Sequence, residues 1–266
     1  MNPLVTIIVS VGIFLFLLPI IRHTGPEMFF NLDALLIIFS GTLIGLFVGF
    51  PTRRIRMAWG HIKEAFQEPG DKAVLVKDIM WMARMYIKGE IREIENHRDE
   101  IRDEYFKLGM RLLINQHSME EIYKALERES RDRSASYLLS QNVLKTLAKL
   151  TPALGLAGTI ISLIKMFDKF QSIETITPLM AVALMSTFYG VIISNLIMLP
   201  LSSKLKERAI LNETMMEMSL EGLFGISQGE HPLKIEERLV GLEALSETSL
   251  PQGADSLVWG EVKINS

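Results

Sequence analysis

Residues 151–159 read Thr-Pro-Ala-Leu-Gly-Leu-Ala-Gly-Thr, and residues 181–190 read Ala-Val-Ala-Leu-Met-Ser-Thr-Phe-Tyr-Gly. They lie in two apolar stretches, 150–167 and 175–203, that hold small and hydroxyl residues and almost no ionisable groups. Small residues let another helix pack closely in lipid, and hydroxyls can line a narrow polar track through hydrocarbon. The two stretches therefore predict the wall of an ion path.

Neither stretch has a carboxylate near its middle. A proton path through a membrane normally needs a titratable carrier there, so we expect the carrier to belong to a partner. The chain offers no enzyme site, since it has no phosphate-binding glycine loop, no paired Cys or His cluster for a metal, and no nucleophile elbow. No cofactor is expected besides a transported ion.

Apolar and charged residues are segregated along the 266-residue chain, which has a mean hydropathy of +0.25 although 22% of its residues are charged. Four apolar runs are each close to the ~17 to 25 residues that cross a bilayer as a helix. These runs predict an all-α membrane protein with four transmembrane helices in two hairpins. The net charge of -3 is too small to imply a nucleic-acid partner, and the absence of cysteine excludes a disulfide framework.

A helical cytoplasmic domain is predicted between the two hairpins, because its apolar residues recur at the three-and-four spacing of helices. Asp71 is expected to cap one helix, and Ser118 with Glu121 has the spacing of a capping box that opens a long charged helix towards the membrane. The predicted segments are hairpin 1 at 1–51 (spans 4–21 and 34–50), the cytoplasmic domain at 52–149, hairpin 2 at 150–203 (spans 150–167 and 176–200), cytoplasmic C-terminal helices at 204–245 and a disordered tail at 246–266.

Basic residues predict the orientation, because they are retained on the cytoplasmic side of a membrane. They flank three span ends, so both chain termini are expected in the cytoplasm. The first helix after hairpin 1 also has one apolar face, which is typical of a helix lying on membrane lipid. The basic flanks are Arg53, Arg54 and Arg56 after the second span, Lys145 and Lys149 before the third, and Lys204, Lys206 and Arg208 after the fourth.

The polar residues of hairpin 2 allow two interpretations. Their hydroxyls either bond the carbonyl one turn back in their own helix or face a polar track. The prolines of this region either mark span ends or act as hinges, since each frees a carbonyl one turn earlier. The predicted path lining is Pro152, Gly155, Thr159, Ser186, Thr187 and Tyr189, with Pro200 as a hinge at the cytoplasmic end of the fourth span.

A run of alternating charges follows residue 83 in the cytoplasmic domain. Such a run is usually a solvated helix face. Its alternative is an electrostatic docking surface for a moving partner, where exposed charges set register and speed engagement. The candidate docking charges are Arg84, Lys88, Arg92, Glu93 and Glu95.

Several motifs, in order along the chain, carry a family resemblance. They are residues 151–159, 180–190 and 195–201, and Gly-Glu-His-Pro at 229–232 ahead of Ile-Glu-Glu-Arg-Leu at 235–239. With them the chain resembles the MotA/TolQ/ExbB ion-channel family, in particular the MotA subunits of flagellar stators. The charged run matches less well, because 88–95 keeps the separation of basic and acidic residues but shifts the glycine.

The resemblance implies a homopentameric ring around two copies of a MotB-like subunit, whose single membrane helix carries the ion-binding aspartate. It places the hairpin 2 residues from Pro152 to Thr187 on the ion route, and it implies that Lys88 and Glu95, then Arg84 and Glu93, contact a rotor switch protein. Relatives driven by protons tend to have Ala or Gly where this chain has Ser186, so this serine favours Na⁺ over H⁺ as the coupling ion.

Two other functions remain open at this point. A TolQ or ExbB type subunit would energise the outer membrane, but such proteins have three spans, whereas four apolar runs with basic flanks favour the stator type. A passive membrane scaffold would tolerate substitution at Thr159 and Thr187 and would need no partner with a membrane aspartate.

Overall fold

The computed structural model of the chain describes residues 11–12, 30–67, 70–97, 100–168 and 173–248. These ranges are helical and contain no strand, as the sequence predicted. The predicted first span, apart from residues 11–12, and the tail beyond residue 248 lie outside the described residues. The helices are α1 (Leu32–Gly49), α2 (Thr52–Phe66), α3 (Lys72–Lys88), α4 (Ile91–His97), α5 (Glu104–Ile114), α6 (Met119–Asp168), α7 (Ile173–Ile192), a π-helical segment (Ile193–Met198), α8 (Leu199–Ser227) and α9 (Pro232–Thr248).

Among the described residues, three helical runs are long and apolar enough to cross a membrane: Leu32–Gly49, Met119–Asp168 and Ile176–Ser227. The charged helix predicted to run towards the membrane continues into the third apolar run, because α6 passes from Met119 to Asp168 without a break. Contacts divide the chain into two compact units, the first from Met1–Pro69 and Asp132–Ile210, the second from Gly70–Arg131 and Leu211–Ser266.

The first unit contains α1 packed on α7 and on the second half of α6. The close approach of α1 to α6 uses two glycines of α1, because small residues let helices pack closely in lipid. A methyl group at Gly41 would lie 2.6 Å from Leu154, and one at Gly45 would lie 2.9 Å from Leu150. Apolar side chains such as Phe39 are exposed elsewhere on α1, as expected for a helix in lipid.

Helix α2 is amphipathic, with its inner face on α6. Ala58 and Ala65 are buried, whereas Trp59 and Phe66 are exposed. His61 stacks on Tyr137, with the ring centroids 4.2 Å apart. The inner face thus fixes α2 on α6, and the exposed aromatic residues fit the predicted position on a membrane surface.

The second unit is a bundle of short helices around a methionine-rich core, and α9 packs on α3. The predicted caps are confirmed. The Asp71 carboxylate accepts from the amide of Ala73 at 2.9 Å, and Ser118 and Glu121 form a reciprocal capping box at 3.0 and 3.3 Å. The most deeply buried core residues include Leu75, Ile79, Met82, Ile94, Tyr105, Phe106, Met110, Ile122, Leu126, Met218, Leu223, Ile235 and Leu239.

The Gly-Glu-His-Pro motif forms the turn between α8 and α9. Gly229 has a φ of +65°, a left-handed conformation that favours glycine after a helix. Glu230 pairs with Arg238 and with Lys234 of α9, and Arg238 also reaches Glu221 of α8 at 3.2 Å. The motif therefore fixes how α9 folds back on α8.

Candidate functional site

The two small-residue motifs of hairpin 2 pack against each other where α6 crosses α7. A methyl group at Gly155 would lie 2.8 Å from the carbonyl oxygen of Ser186, and one at Gly158 would lie 2.6 Å from the Ser186 hydroxyl. A methyl group at Gly190 would lie 2.6 Å from the carbonyl oxygen of Thr151 and 3.2 Å from the Cα of Pro152. The glycines therefore serve a backbone contact within one chain, which no other residue type would permit at this distance.

The hydroxyls at this crossing differ in where they point. Thr159 donates to the carbonyl of Leu156 at 2.6 Å, and Ser186 donates to the carbonyl of Val182 at 2.8 Å, so both form bonds within their own helices. Ser186 is fully buried, whereas the next residue, Thr187, is exposed. Of these three residues, Thr187 offers the most accessible side chain on the surface of the chain.

Tyr189 holds the start of α1. Its hydroxyl accepts a hydrogen bond from the backbone amide of Asn31 at 2.9 Å. The Asn31 side chain in turn accepts from the amide of Ala34 at 3.0 Å, and so caps α1. Tyr189 is half-buried and packs beside Phe188, which gives it a role in fixing α1 on α7 in addition to the predicted place on the path.

Pro152 and Pro200, the two prolines named as span ends or hinges, both lie inside continuous helical structure. Pro152 lies within α6 and is partly buried. Pro200 is exposed, follows the π-helical segment Ile193–Met198 and is the second residue of α8. In the π-helical segment the amide of Leu199 donates to the carbonyl of Ser194, five residues back, as the wider turn requires.

Sequence reasoning missed two polar residues of the crossing. Ser194 is buried and donates across to the carbonyl of Ala148 on α6 at 2.6 Å. Thr151 is fully buried, and its hydroxyl has no hydrogen-bond partner among the described residues. For both residues, the sequence carried only the general signal that a hydroxyl in an apolar span needs some hydrogen-bond partner. That signal does not identify the partner.

The predicted docking charges lie together around the turn that joins α3 to α4. Gly89 ends α3 with a φ of +75°, and α4 begins at Ile91. The fully buried Ile94 anchors α4 on the core, while Ile87 and Ile91 are exposed beside the turn. The five candidate charges are all exposed: Arg84, Lys88, Arg92, Glu93 and Glu95.

No group of three or more His, Asp or Glu residues in the described part of the chain is arranged to hold a metal ion. The chemistry that remains at the crossing is that of hydroxyls, backbone carbonyls and small residues. Such groups can solvate a passing ion, but they cannot carry a proton by changing their own charge.

Comparisons with known proteins agree with these features. The chain is 28% identical to motility protein A of Cereibacter sphaeroides over 81% of this chain and 85% of that one, and 26% identical to chemotaxis protein PomA of Vibrio alginolyticus over 89% and 93%. The solved flagellar MotAB stator complex from Bacillus subtilis contains a chain with the same fold, with a TM-score of 0.79 and 20% identity over 92% of this chain and 98% of that one. Residues 97–218 match the MotA/TolQ/ExbB proton channel family, which confirms the resemblance seen in the motifs.

Proposed function

We propose that this chain is the ring-forming stator subunit of an ion-driven rotary motor in the bacterial inner membrane. The ring is a homopentamer around a MotB-like subunit that carries the membrane aspartate. Flow of H⁺ or Na⁺ through this assembly turns the ring, and the ring drives a rotor. The observation that carries the proposal is the α6–α7 crossing, which joins the two family motifs and leaves Thr187 exposed between otherwise apolar surfaces.

In this proposal the lining residues divide by position. Thr187, Thr159 and Pro152 are at least partly exposed on the chain and contact the partner helix. Gly155 and Ser186 are buried, so they act by holding α6 and α7 at the distance that keeps this surface narrow. Tyr189 fixes α1 beside the same surface through its bond to Asn31.

The membrane arrangement in this proposal is two hairpins with both termini in the cytoplasm. Candidate spans α1, the apolar part of α6, and the run from Ile176 onwards supply three of the four helices. The segment at 4–21 is the fourth. The exposed basic side chains of α2, at Arg53, Arg54 and Arg56, then lie at the cytoplasmic surface of the membrane.

The free energy that one ion can supply to a step of the motor has a physical upper limit. One elementary charge moving through ~150 mV releases about 3.5 kcal/mol. Neutralising the partner's aspartate by each arriving ion changes its contact with the hydroxyl surface around Thr187, and the ring then steps relative to the partner helix. The ~3.5 kcal/mol released by one ion is several times thermal energy, so one ion can drive one step of the ring.

The exposed charges around Gly89 form the rotor contact in this proposal. Exposed ion pairs each add only ~0 to 1 kcal/mol, but they speed engagement and set register between surfaces that separate at each step. A partner that attaches and releases repeatedly needs such a weak and fast contact. A TolQ or ExbB type activity would not require this surface.

The decisive experiment expresses the full-length chain with its MotB-like partner in cells that lack other stators, and measures swimming and rotor speed. We expect Thr187→Ala to abolish rotation and Thr187→Ser to retain it, because serine keeps the hydroxyl. Ser203→Ala is the matched control, since Ser203 is exposed on α8 beyond the predicted fourth span.

Normal rotation with Thr187→Ala would contradict the proposed ion path.

Charge reversal at both Lys88 and Glu95 is expected to reduce torque while leaving assembly with the partner intact. Normal torque in that variant, together with restored outer-membrane function in cells lacking TolQ or ExbB, would favour the alternative activity. Replacing Na⁺ by K⁺ in the medium tests the coupling ion, and we expect rotation to slow.

A further inference from the structure

We propose that Ser194 replaces the backbone amide that Pro152 lacks, and that this single hydroxyl holds the proline site of α6 against the π-helical segment. Ser194 is thus a positioning residue that acts through α6. It lies outside the family motifs and outside the lining predicted from sequence.

The first step concerns the acceptor. In an α-helix the amide of residue i donates to the carbonyl of residue i−4, and proline has no N–H to donate. Pro152 therefore leaves the carbonyl of Ala148 without its helical donor. Ala148 is buried, at 5% exposure, so bulk water does not reach that oxygen easily, and a buried carbonyl needs a partner.

The second step concerns the donor. The Ser194 hydroxyl lies 2.6 Å from the Ala148 carbonyl oxygen, and Ser194 is itself 4% exposed. The two residues are 46 positions apart in the chain. Other serines of the molecule, such as Ser186 and Ser219, donate instead to a carbonyl four residues back in their own helix. Ser194 gives up that local bond and donates to the carbonyl that the proline leaves open.

The third step concerns the backbone around Ser194. A π-helical turn inserts one residue and rotates the following side chains relative to an α-helix. The carbonyl of Ser194 accepts from the amide of Leu199, and the side-chain amide of Asn195 donates to the carbonyl of Val191 at 3.0 Å. Ser194 is the second residue of this segment, one helical turn after Gly190, and so lies on the face that already contacts α6.

The consequence is a fixed register between two helices at the proline. Gly190, four residues before Ser194, lies against Thr151 and the Cα of Pro152, so contact and hydrogen bond act on the same turn of α6. The same register positions the hydroxyl surface that includes Thr159. An effect of this position on ion flow rests on the proposed function. The hydrogen bond itself does not depend on that function.

The test is a double-mutant cycle on the full-length chain in detergent, read by thermal unfolding. Ser194→Ala should lower the unfolding midpoint by about 2 to 5 °C. Pro152→Ala restores a backbone amide to the Ala148 carbonyl, so Ser194→Ala should lower the midpoint much less in that background. Pro152→Gly restores the same amide and serves if Pro152→Ala does not fold.

Two further variants keep the inference testable in the native background. Ser194→Thr retains the hydroxyl and should hold the midpoint near that of the parent, whereas Ser194→Val, which has nearly the same shape as threonine, should show the loss. Ser219→Ala is the matched control, because Ser219 is fully buried but bonds within its own helix. Its effect should be the same with or without Pro152.

Equal losses from Ser194→Ala in the parent chain and in the Pro152→Ala variant would overturn the inference, as would equal midpoints for the threonine and valine variants. Either result leaves the proposed motor function untouched, because the measurement involves no ion flow. Conversely, if the motor does not rotate but the effect of Ser194→Ala depends on Pro152 as expected, the proposed function is contradicted and this inference stands.

Discussion

Gly190 of α7 approaches Thr151 of α6 so closely that a methyl group at Gly190 would lie 2.6 Å from the carbonyl oxygen of Thr151. Real Cβ atoms almost never come within 3.0 Å of a heavy atom outside their own residue and its chain neighbours. The neighbour is backbone and belongs to a continuous helix, so it cannot move aside alone. The crossing of the two helices therefore depends on glycine at this position.

Gly190→Ala is expected to push α7 away from α6 and to cost about 1 to 3 kcal/mol of stability, as overpacking usually does. Thermal unfolding of the full-length chain measures the loss. Gly60→Ala is the control, since Gly60 lies within α2 and a Cβ there would meet nothing within 4 Å beyond its chain neighbours and the nearby backbone of its own helix, and alanine there should stabilise by up to ~1 kcal/mol. An unchanged midpoint for Gly190→Ala would show that the helices can separate freely.

Tyr189→Phe removes the acceptor for the Asn31 amide while keeping the aromatic ring. We expect a loss of about 0.5 to 1.5 kcal/mol, the usual net contribution of one hydrogen bond. Hydrogen exchange should rise at the first turn of α1 and not at its last turn, because the bond holds only the start of that helix. Uniform exchange along α1 would argue against this role for Tyr189.

Thr151→Val should be neutral or stabilising, which is unusual for a fully buried polar residue. The Thr151 hydroxyl has no hydrogen-bond partner among the described residues, and burying such a group costs about 1 to 3 kcal/mol. Valine has nearly the same shape and removes that cost. A midpoint several degrees lower in the assembled complex would mean that another subunit satisfies this hydroxyl.

Acid should weaken the contact between α2 and α6 through His61. Burial lowers the pKa of His61 below its ordinary value of 6.5, and the nearby Glu64 partly opposes this. The Ser140 hydroxyl donates to the carbonyl of Ser136, so its oxygen accepts from Nδ1 of a neutral His61 at 2.8 Å.

The sign of the pH effect follows from linkage. The unfolded chain binds the His61 proton more readily than the folded chain does, so stability falls as pH drops below about 6.5 and levels off below the folded pKa. Unfolding midpoints at pH 8 and pH 5.5 should differ more in the parent chain than in His61→Gln. The other histidines contribute equally to both proteins, and an identical pH response would refute the effect.

Local sequence was sufficient for two helix caps and for the helical character of α6. The spacing of Ser118 and Glu121 predicted a capping box, and the structure contains it. Asp71 caps α3 as predicted, and the uninterrupted α6 follows from a helical pattern that continues into an apolar run. These features involve residues within about one turn of each other, where sequence separation and spatial distance are nearly the same.

The glycines of hairpin 2 were equally readable, because small residues in an apolar helix serve close packing. The residues that these glycines contact could not be predicted from the sequence. The sequence placed Ser186 and Thr187 together, but only the folded chain buries the first in the crossing and exposes the second. Adjacent residues on a helix point about 100° apart, so the angle at which α6 meets α7 decides which one is covered.

By itself, the sequence determined that the chain is helical with long apolar runs, that two of its helices are capped at named residues, and that hairpin 2 resembles an ion-channel family. Tertiary structure alone decided that the Ser194 hydroxyl meets the Ala148 carbonyl 46 residues away. The physical reason is that the two residues lie on different helices, and a helical pattern read along the chain gives the face on which each residue lies but not the residue that it meets. Only the packing of α6 against α7 and the π-helical segment brings this hydroxyl to this carbonyl.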